Sequence, residues 1–224
     1  MRFTRPPLVL LAIGMLVLST GGWTWWRAAT APSRAINAAL DEYKAAIDSS
    51  DAHRAAEFMG RESRDWASSM VRAALTDTRH VLRARPLSDQ MHILELRQRY
   101  TQHELEAMDD HQAVAIYAAM LAGSEGGEPS PDLEAIDIQI LGERAVCSLA
   151  ADVGGESGIA MSGTVFTRES GTWRFNPHTM ALENIPFIAQ FAKDQLQIEQ
   201  LVQDAWVESF GKPLDPKLWD GPRK

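Results

Sequence analysis

The sequence contains a single cysteine, Cys147, so no disulfide can form within the chain. Cys147 lies in an apolar alternating stretch, Ala145–Leu149, with no adjacent basic residue and no Cys-x-x-Cys partner. Because such neighbours are what stabilise a thiolate, the pattern favours a buried, unreactive thiol over a reactive one. The fold is therefore expected to depend on its hydrophobic core rather than on covalent cross-links.

Catalytic signatures are also missing from the sequence. None of the serines stands in Gly-x-Ser-x-Gly, and no glycine-rich phosphate loop follows a predicted strand. The sequence alone therefore defines no reaction and no cofactor, and what it predicts best is location and shape.

Basic residues are scarce relative to acidic ones. The chain has 22 Lys and Arg against 30 Asp and Glu. All 30 acidic residues follow residue 27, so residues 28–224 carry a net charge of −11. A surface of that sign repels phosphate backbones, which argues against nucleic-acid binding.

A long uncharged run occurs once, from Leu8 to Trp26. At about 1.5 Å per helical residue, its 19 positions extend about 28 Å, close to the thickness of a bilayer's hydrocarbon core. Arg2 and Arg5 precede the run, which favours a cytoplasmic N-terminus and places the following residues outside the cytoplasm. Tryptophans are typical of membrane interfaces, and the run ends in three of them, Trp23, Trp25 and Trp26.

The alternative interpretation of this run is a cleaved signal peptide, with an apolar region from Leu8 to Leu18. The nearest small-x-small cleavage site, residues 29–31, lies more than ten residues beyond that region and is followed by Pro32. An uncleaved anchor is therefore favoured. The predicted organisation is an anchor at 1–27, a linker at 28–33, one domain at 34–212 and a C-terminal tail at 213–224.

The first half of the domain has helical periodicity. Apolar residues at Ile36, Leu40, Tyr43 and Ile47 share one face of a first helix, and Asp51 can cap a second. A third helix is expected from Ser63 to Arg85. Three shorter helices follow between residues 89 and 122, with a capping box at Thr101 and Glu104 and a cap at Asp110.

The second half has a period of two. Ile136, Ile138 and Ile140 alternate with polar residues, and four strands are expected, with turns at 142–143, 154–158 and 169–171. A long helix then runs from Asn184 to Gly211. The predicted fold class is α+β: an N-terminal membrane helix, a helical segment packed on a four-stranded antiparallel sheet, and a long C-terminal helix.

The strand Gly171-Thr172-Trp173-Arg174-Phe175, preceded by the opening helix Ile36 to Ile47 and its Asp51-Ala52 successor, resembles the NTF2-like (cystatin-like) superfamily over residues 34–178. The resemblance implies helices packed into the concave face of a curved sheet. The chain departs from the family in its three short helices at 89–122 and in the long helix after the sheet. Members serve as enzymes, ligand carriers or docking modules, so the resemblance leaves the function open.

Several histidines are candidate site residues. His178 follows the last strand, where it can act as a general base if Glu183 or Asp137 comes within reach; the alternative is a turn residue. The cluster His103-Glu104 and Asp109-Asp110-His111 has metal-ligating side chains, but its histidines are eight apart, and helix capping by its acids is favoured. No metal site is predicted. His53, His80 and His92 are expected on the surface.

Two further sets complete the candidates. Trp206 and Trp219 either bind a partner or fold back onto the core. Arginines on the middle helices either form one basic face or pair with nearby acids, the second being favoured: Arg72, Arg79, Arg83, Arg85, Arg97 and Arg99.

The favoured function is a membrane-tethered extracytoplasmic domain without catalytic activity, held in the membrane by residues 8–26, that binds an envelope protein partner or a small ligand. The alternative is a small-pocket enzyme of proton transfer or hydrolysis that uses His178.

Overall fold

The computed structural model describes residues 31–121, 132–153, 156–180 and 195–224. Its helices and strands, labelled in chain order, are α1 (31–48), α2 (Ala52–Phe58), α3 (Arg61–Thr76), α4 (Arg79–Arg83), α5 (Leu87–Arg99), α6 (Gln102–Ala107), α7 (Asp110–Leu121), β1 (Asp132–Leu141), β2 (Arg144–Val153), β3 (Glu156–Glu169), β4 (Thr172–Asn176) and α8 (Gln195–Phe210).

The strands form one antiparallel sheet in the order β1-β2-β3-β4, which confirms the predicted four-stranded meander. Gly142 and Glu143 make the two-residue turn between β1 and β2, and Ser170 and Gly171 make the turn between β3 and β4. Both glycines and Ser170 have positive φ, as such tight hairpin turns require. Helices cover one face of the sheet, so the predicted α+β class is confirmed.

A β-bulge in β1 changes which residues face the core. Asp137 has a φ of 52°, and the pairing with β2 shifts between Ile136 and Gln139. Ala135 faces the core before the bulge and Ile138 after it, whereas Ile140 is exposed. The regular alternation predicted for Ile136, Ile138 and Ile140 is therefore interrupted, because the extra residue in the bulge reverses the side-chain alternation between Ala135 and Ile138.

The first of two cores lies between the sheet and the helices. As predicted, α1 buries one face there, with Ile36, Leu40, Tyr43 and Ile47. Residues 31–33 are already helical, so this part of the expected linker belongs to α1. The sheet contributes alternate residues of its inner face, among them Ala145, Cys147, Leu149, Phe166, Trp173 and Phe175.

Asn37 protects the free edge of β1. Its side-chain amide donates to the carbonyl oxygen of Ala135 (3.3 Å) and its Oδ1 accepts from the Ala135 amide (2.8 Å). Both backbone groups that Ala135 turns away from β2 are thereby paired, which blocks the strand pairing that an open edge invites.

The second core lies among the helices themselves, and α3 and α7 contribute to both cores. It is closed by the C-terminal residues, with Val202 and Trp206 from α8 and Leu214, Leu218 and Trp219 from the segment after it. Residues 213–224, expected as a tail, are thus part of the fold. The predicted start of the last helix at Asn184 lies outside the described residues, and its predicted end is confirmed by Gly211 at a φ of 64°.

Arg97 is fully buried in the second core, with 0% of its surface exposed. Its guanidinium donates to the carbonyl oxygens of Ala74 (2.8 Å) and Asp77 (2.5 Å) at the end of α3, and to those of Leu218 (2.8 Å) and Trp219 (3.2 Å), with a longer contact to Ala73 (3.5 Å). Burial lowers the pKa of Arg97, and the nearby Asp77 and Asp220 carboxylates act in the opposite direction. One arginine thus caps α3 and fixes the C-terminal segment.

The helix predicted from Ser63 to Arg85 is interrupted at Asp77 and Thr78, both of which have extended backbone. The Asp77 carboxylate pairs with Arg85, and its carbonyl oxygen faces Arg97. Because these contacts hold Asp77 in a non-helical conformation, α3 ends there and the short α4 begins after it.

Candidate functional site

His178 lies in a single 3-10 turn, Pro177–Met180, directly after β4. Its Nδ1 is 2.7 Å from Oγ of Ser63, and its backbone amide also donates to that oxygen (3.3 Å). The neighbouring Asn176 accepts from the Ser63 amide (3.1 Å), so the end of β4 caps the first turn of α3. The predicted turn role of His178 therefore has a structural basis.

The surroundings of His178 favour the neutral form of its ring. Burial lowers the pKa of His178; the Glu62 carboxylate opposes this effect and Arg144 adds to it. Ser63 is fully buried, so its hydroxyl hydrogen needs an acceptor, and Nδ1 is at hydrogen-bond distance. We infer that Nδ1 accepts and Nε2 carries the proton, which leaves neither nitrogen free to act as a base toward a substrate.

The carboxylate partners expected for His178 are not brought to it in the described part of the chain. Asp137 is exposed in the bulge of β1 and has no hydrogen bond to the histidine ring. Glu183 lies outside the described residues. The acid that acts electrostatically on the ring is Glu62, which pairs with Arg144.

Aromatic rings pack on the other side of His178. Trp66 stacks on it at 6.0 Å between ring centroids, and contacts His92 (4.9 Å) and Tyr117 (4.7 Å). The Trp66 indole N–H donates to Asp89 (3.1 Å). His92 is buried in this group, so the prediction that it lies on the surface is wrong, and burial lowers its pKa to about 3.

An open groove of about 370 Å³ lies where α2, α3 and α7 meet, and we name it the acidic groove. Its floor is apolar, and three carboxylates line it, one each from α2, α3 and α7. The lining residues are Ala56, Glu57, Arg64, Asp65, Ser68, Asp110, His111 and Val114.

The charge of this groove is set by its acids. Arg64 is directed to other partners, because its guanidinium donates to the Met59 carbonyl oxygen (2.5 Å) and to Glu169 (2.8 Å). Asp65 has only a long, solvent-exposed contact with Arg61 (3.8 Å), which neutralises it weakly. The groove therefore presents uncompensated negative charge above an apolar floor.

A second groove, of about 380 Å³, opens on the opposite side of α7. It is lined by His53, Tyr100, Glu104, Ala107, Met108, Gln112, Ala115 and Ile116, and we name it the apolar groove. His53, which lines the apolar groove, and His111, which lines the acidic groove, contact each other with ring centroids 5.6 Å apart.

The predicted cluster around residues 103–111 is separated by the fold. Glu104 forms the expected capping box with Thr101. Asp109 caps α7, because its side-chain Oδ1 accepts a hydrogen bond from the backbone amide of Gln112 (2.7 Å). The cap predicted at Asp110 is therefore displaced by one residue. His103 is exposed on α6, and within the described ranges no three His, Cys, Asp or Glu side chains gather as in a metal site.

Trp206 and Trp219 lie in the second core, with 1% and 5% of their surface exposed. Trp206 stacks on Phe210 at 4.3 Å, and the Arg83 guanidinium lies over Trp219 at 5.8 Å. Neither ring is thus on the surface where a partner would meet it. The alternative foreseen from the sequence, that both fold onto a core, describes their position.

The remaining predicted residues fall as follows. Cys147 is a free, buried thiol as expected, and burial raises its pKa to about 11. The six arginines do not form one basic face: Arg79, Arg85 and Arg99 pair with acids, Arg83 lies over Trp219, Arg97 is buried and Arg72 is exposed.

The predicted anchor at residues 8–26 and its tryptophans, Trp23, Trp25 and Trp26, lie outside the described residues. Among the residues that the structure does describe, no helix has the length and apolar character of a membrane span.

No family model, curated protein or solved structure matches the chain. The likeness to the NTF2-like superfamily therefore stays a prediction.

Proposed function

We propose that the chain is a membrane-tethered, extracytoplasmic binding domain that uses the acidic groove to hold a basic side chain of a partner polypeptide. The apolar run from Leu8 to Trp26 and the arginines before it support the tether and its orientation. The order of helices before an antiparallel meander supports membership of the NTF2-like superfamily, whose members include docking modules.

The observation that carries the proposal is the pairing of shape and charge in the acidic groove. Its volume of about 370 Å³ suits a long side chain, and Ala56 and Val114 offer an apolar floor to the methylene groups of a lysine or arginine. Asp65 and Asp110 then meet the cationic end. A small organic amine has the same chemistry, but the groove is open rather than enclosed, which favours a polypeptide.

The proposal can be tested with the full chain in detergent micelles. We expect a fluorescent peptide of alternating leucine and lysine to bind saturably in fluorescence anisotropy. The double variant D65N/D110N should bind it about two- to thirtyfold more weakly, since each exposed charge contact is worth about 0.2–1 kcal/mol. E42Q, which removes an exposed carboxylate from α1, serves as the matched control.

Two results would contradict this function. One is equal binding of a leucine–glutamate peptide, and the other is unchanged binding in D65N/D110N. Membrane localisation is tested separately, by asking whether the chain stays with the membrane fraction after carbonate extraction.

A second function, hydrolysis by a small-pocket enzyme, has one observation in its favour. The 2.7 Å contact between Ser63 Oγ and His178 Nδ1 is the arrangement of a serine nucleophile and its base. The complete burial of Ser63 weighs against it, because a substrate carbonyl has to reach that oxygen. Equal rates of ester hydrolysis by the natural chain and by H178Q would reject this alternative.

A further inference from the structure

Two exposed histidines from helices distant in the sequence face each other at the border between the two grooves. His53 is the second residue of α2 and His111 is the second residue of α7. Their ring centroids are 5.6 Å apart, with the ring planes at 80°. The packing of α2 against α7 thus brings together two imidazoles that are 58 positions apart.

The separation of these rings matches that of two histidines that share a metal ion. Zinc–nitrogen bonds are about 2.0–2.1 Å long and tetrahedral, which places the centroids of two coordinating rings about 5 Å apart. Because both side chains are exposed, small rotations can direct one nitrogen of each ring to a common point.

Carboxylates stand beside the pair. Glu57 follows His53 by one helical turn on α2 and, like His111 and Asp110, lines the acidic groove. The described residues contain no preformed set of three metal ligands. The two histidines would therefore occupy two coordination positions, and water or a carboxylate that moves toward the ion would occupy the rest.

We propose that His53 and His111 bind one divalent transition-metal ion, of which zinc fits best, with Glu57 and water completing the coordination. Imidazole nitrogens favour zinc, copper and nickel over magnesium and calcium. A bound ion joins α2 to α7 and therefore stabilises the helical layer on which both grooves depend. Glu57 and His111 also line the acidic groove, but zinc binding does not rest on the proposed recognition of a basic side chain.

The test is calorimetric titration of the full chain, in detergent micelles, with zinc chloride. We expect one zinc ion per chain and a melting temperature several degrees higher with zinc than without it. H53A and H111A should each bind zinc at least tenfold more weakly and lose the thermal shift, and E57Q should bind it a few-fold more weakly. Magnesium chloride should produce neither effect.

H80A and H103A are the matched controls, because each removes an exposed histidine from another helix, α4 or α6. Circular dichroism of every variant establishes that it is folded, as is expected for exposed positions. The proposal fails if the natural chain binds no zinc at 100-fold molar excess. It also fails if H53A and H111A bind as the natural chain does, or if the loss occurs in H80A or H103A instead.

Discussion

Arg97 provides the sharpest test of how the second core is held together. Its buried guanidinium donates to five carbonyl oxygens, three at the end of α3 and two in the C-terminal segment. Methionine at this position keeps much of the volume and removes every donor. Ala73 retains the amide of Asp77 as a donor at 2.9 Å, so four carbonyl oxygens lose the partner that the guanidinium supplied.

The magnitude follows from these four acceptors. An unpaired buried carbonyl costs about 1–3 kcal/mol of stability. Removing the buried charge also removes its desolvation penalty, which offsets part of that cost. We expect R97M to lower the free energy of unfolding by about 3–5 kcal/mol. The stability of R97K should lie between that of R97M and that of the natural chain, because an ammonium group has three donors but lacks the planar geometry of a guanidinium.

Urea unfolding of the full chain, followed by tryptophan fluorescence, measures this difference. R72M, which alters an exposed arginine on α3, should change stability by less than about 0.5 kcal/mol. A loss in R97M no larger than that of R72M would refute the view that this arginine ties the C-terminal segment to α3.

Two further predictions concern buried polar groups. The folded-state pKa of His92, about 3, lies below the unfolded value of about 6.5. Between these two pH values, the imidazole of His92 therefore binds a proton in the unfolded chain but not in the folded chain. The contribution of His92 to the unfolding free energy should therefore fall by about 1.4 kcal/mol for each pH unit between about 6.5 and 3. Between pH 7 and 5, urea titrations should show a larger loss of stability in H80Q than in H92F, which keeps only the loss due to the lowered pKa of His178. A Cβ at Gly60 would stand 2.4–2.7 Å from the side-chain amide of the buried Asn176, so G60A should cost about 1–3 kcal/mol, whereas G221A, which meets open space, should cost nothing measurable in the same assay.

The sheet could be predicted because its information is local. Alternation, paired with turns at Gly142 and Ser170-Gly171, fixes both the number of strands and their order in a meander. The bulge at Asp137 could not be predicted, because a polar residue at that position fits regular alternation equally well. The register shift follows from packing against β2 and α1, which has no signature in the sequence of β1.

The helical half was predictable in its faces but not in its breaks. The inward face of α1 follows from spacing alone. The end of α3 at Asp77 depends on contacts with Arg97 and Arg85, which lie on or near another helix. These contacts could not be predicted, because an arginine is ordinarily expected to be exposed to solvent. The burial of Trp219 likewise requires contacts with residues more than a hundred positions earlier.

The candidate site shows the same division. Asp110 and His111 stand out in the sequence because they are adjacent, whereas Glu57 and Asp65 do not, and the sequence suggested His103 as the companion histidine. The structure instead gives His111 the neighbour His53, which lies on a helix that the sequence alone could not orient. The relation of His178 to Ser63 was likewise invisible, since a turn of the last strand and the start of α3 meet only in three dimensions.

The two cores differ in when a growing polypeptide can complete them. The first is assembled from residues 36–175, whereas the second also needs Trp206, Leu218 and Trp219, which follow all of those residues in the chain. Until those residues emerge, the second core lacks the side chains that close it, and Arg97 lacks the carbonyl groups of the C-terminal segment. During synthesis, every residue of the first core therefore leaves the ribosome before residue 219, which the second core still needs.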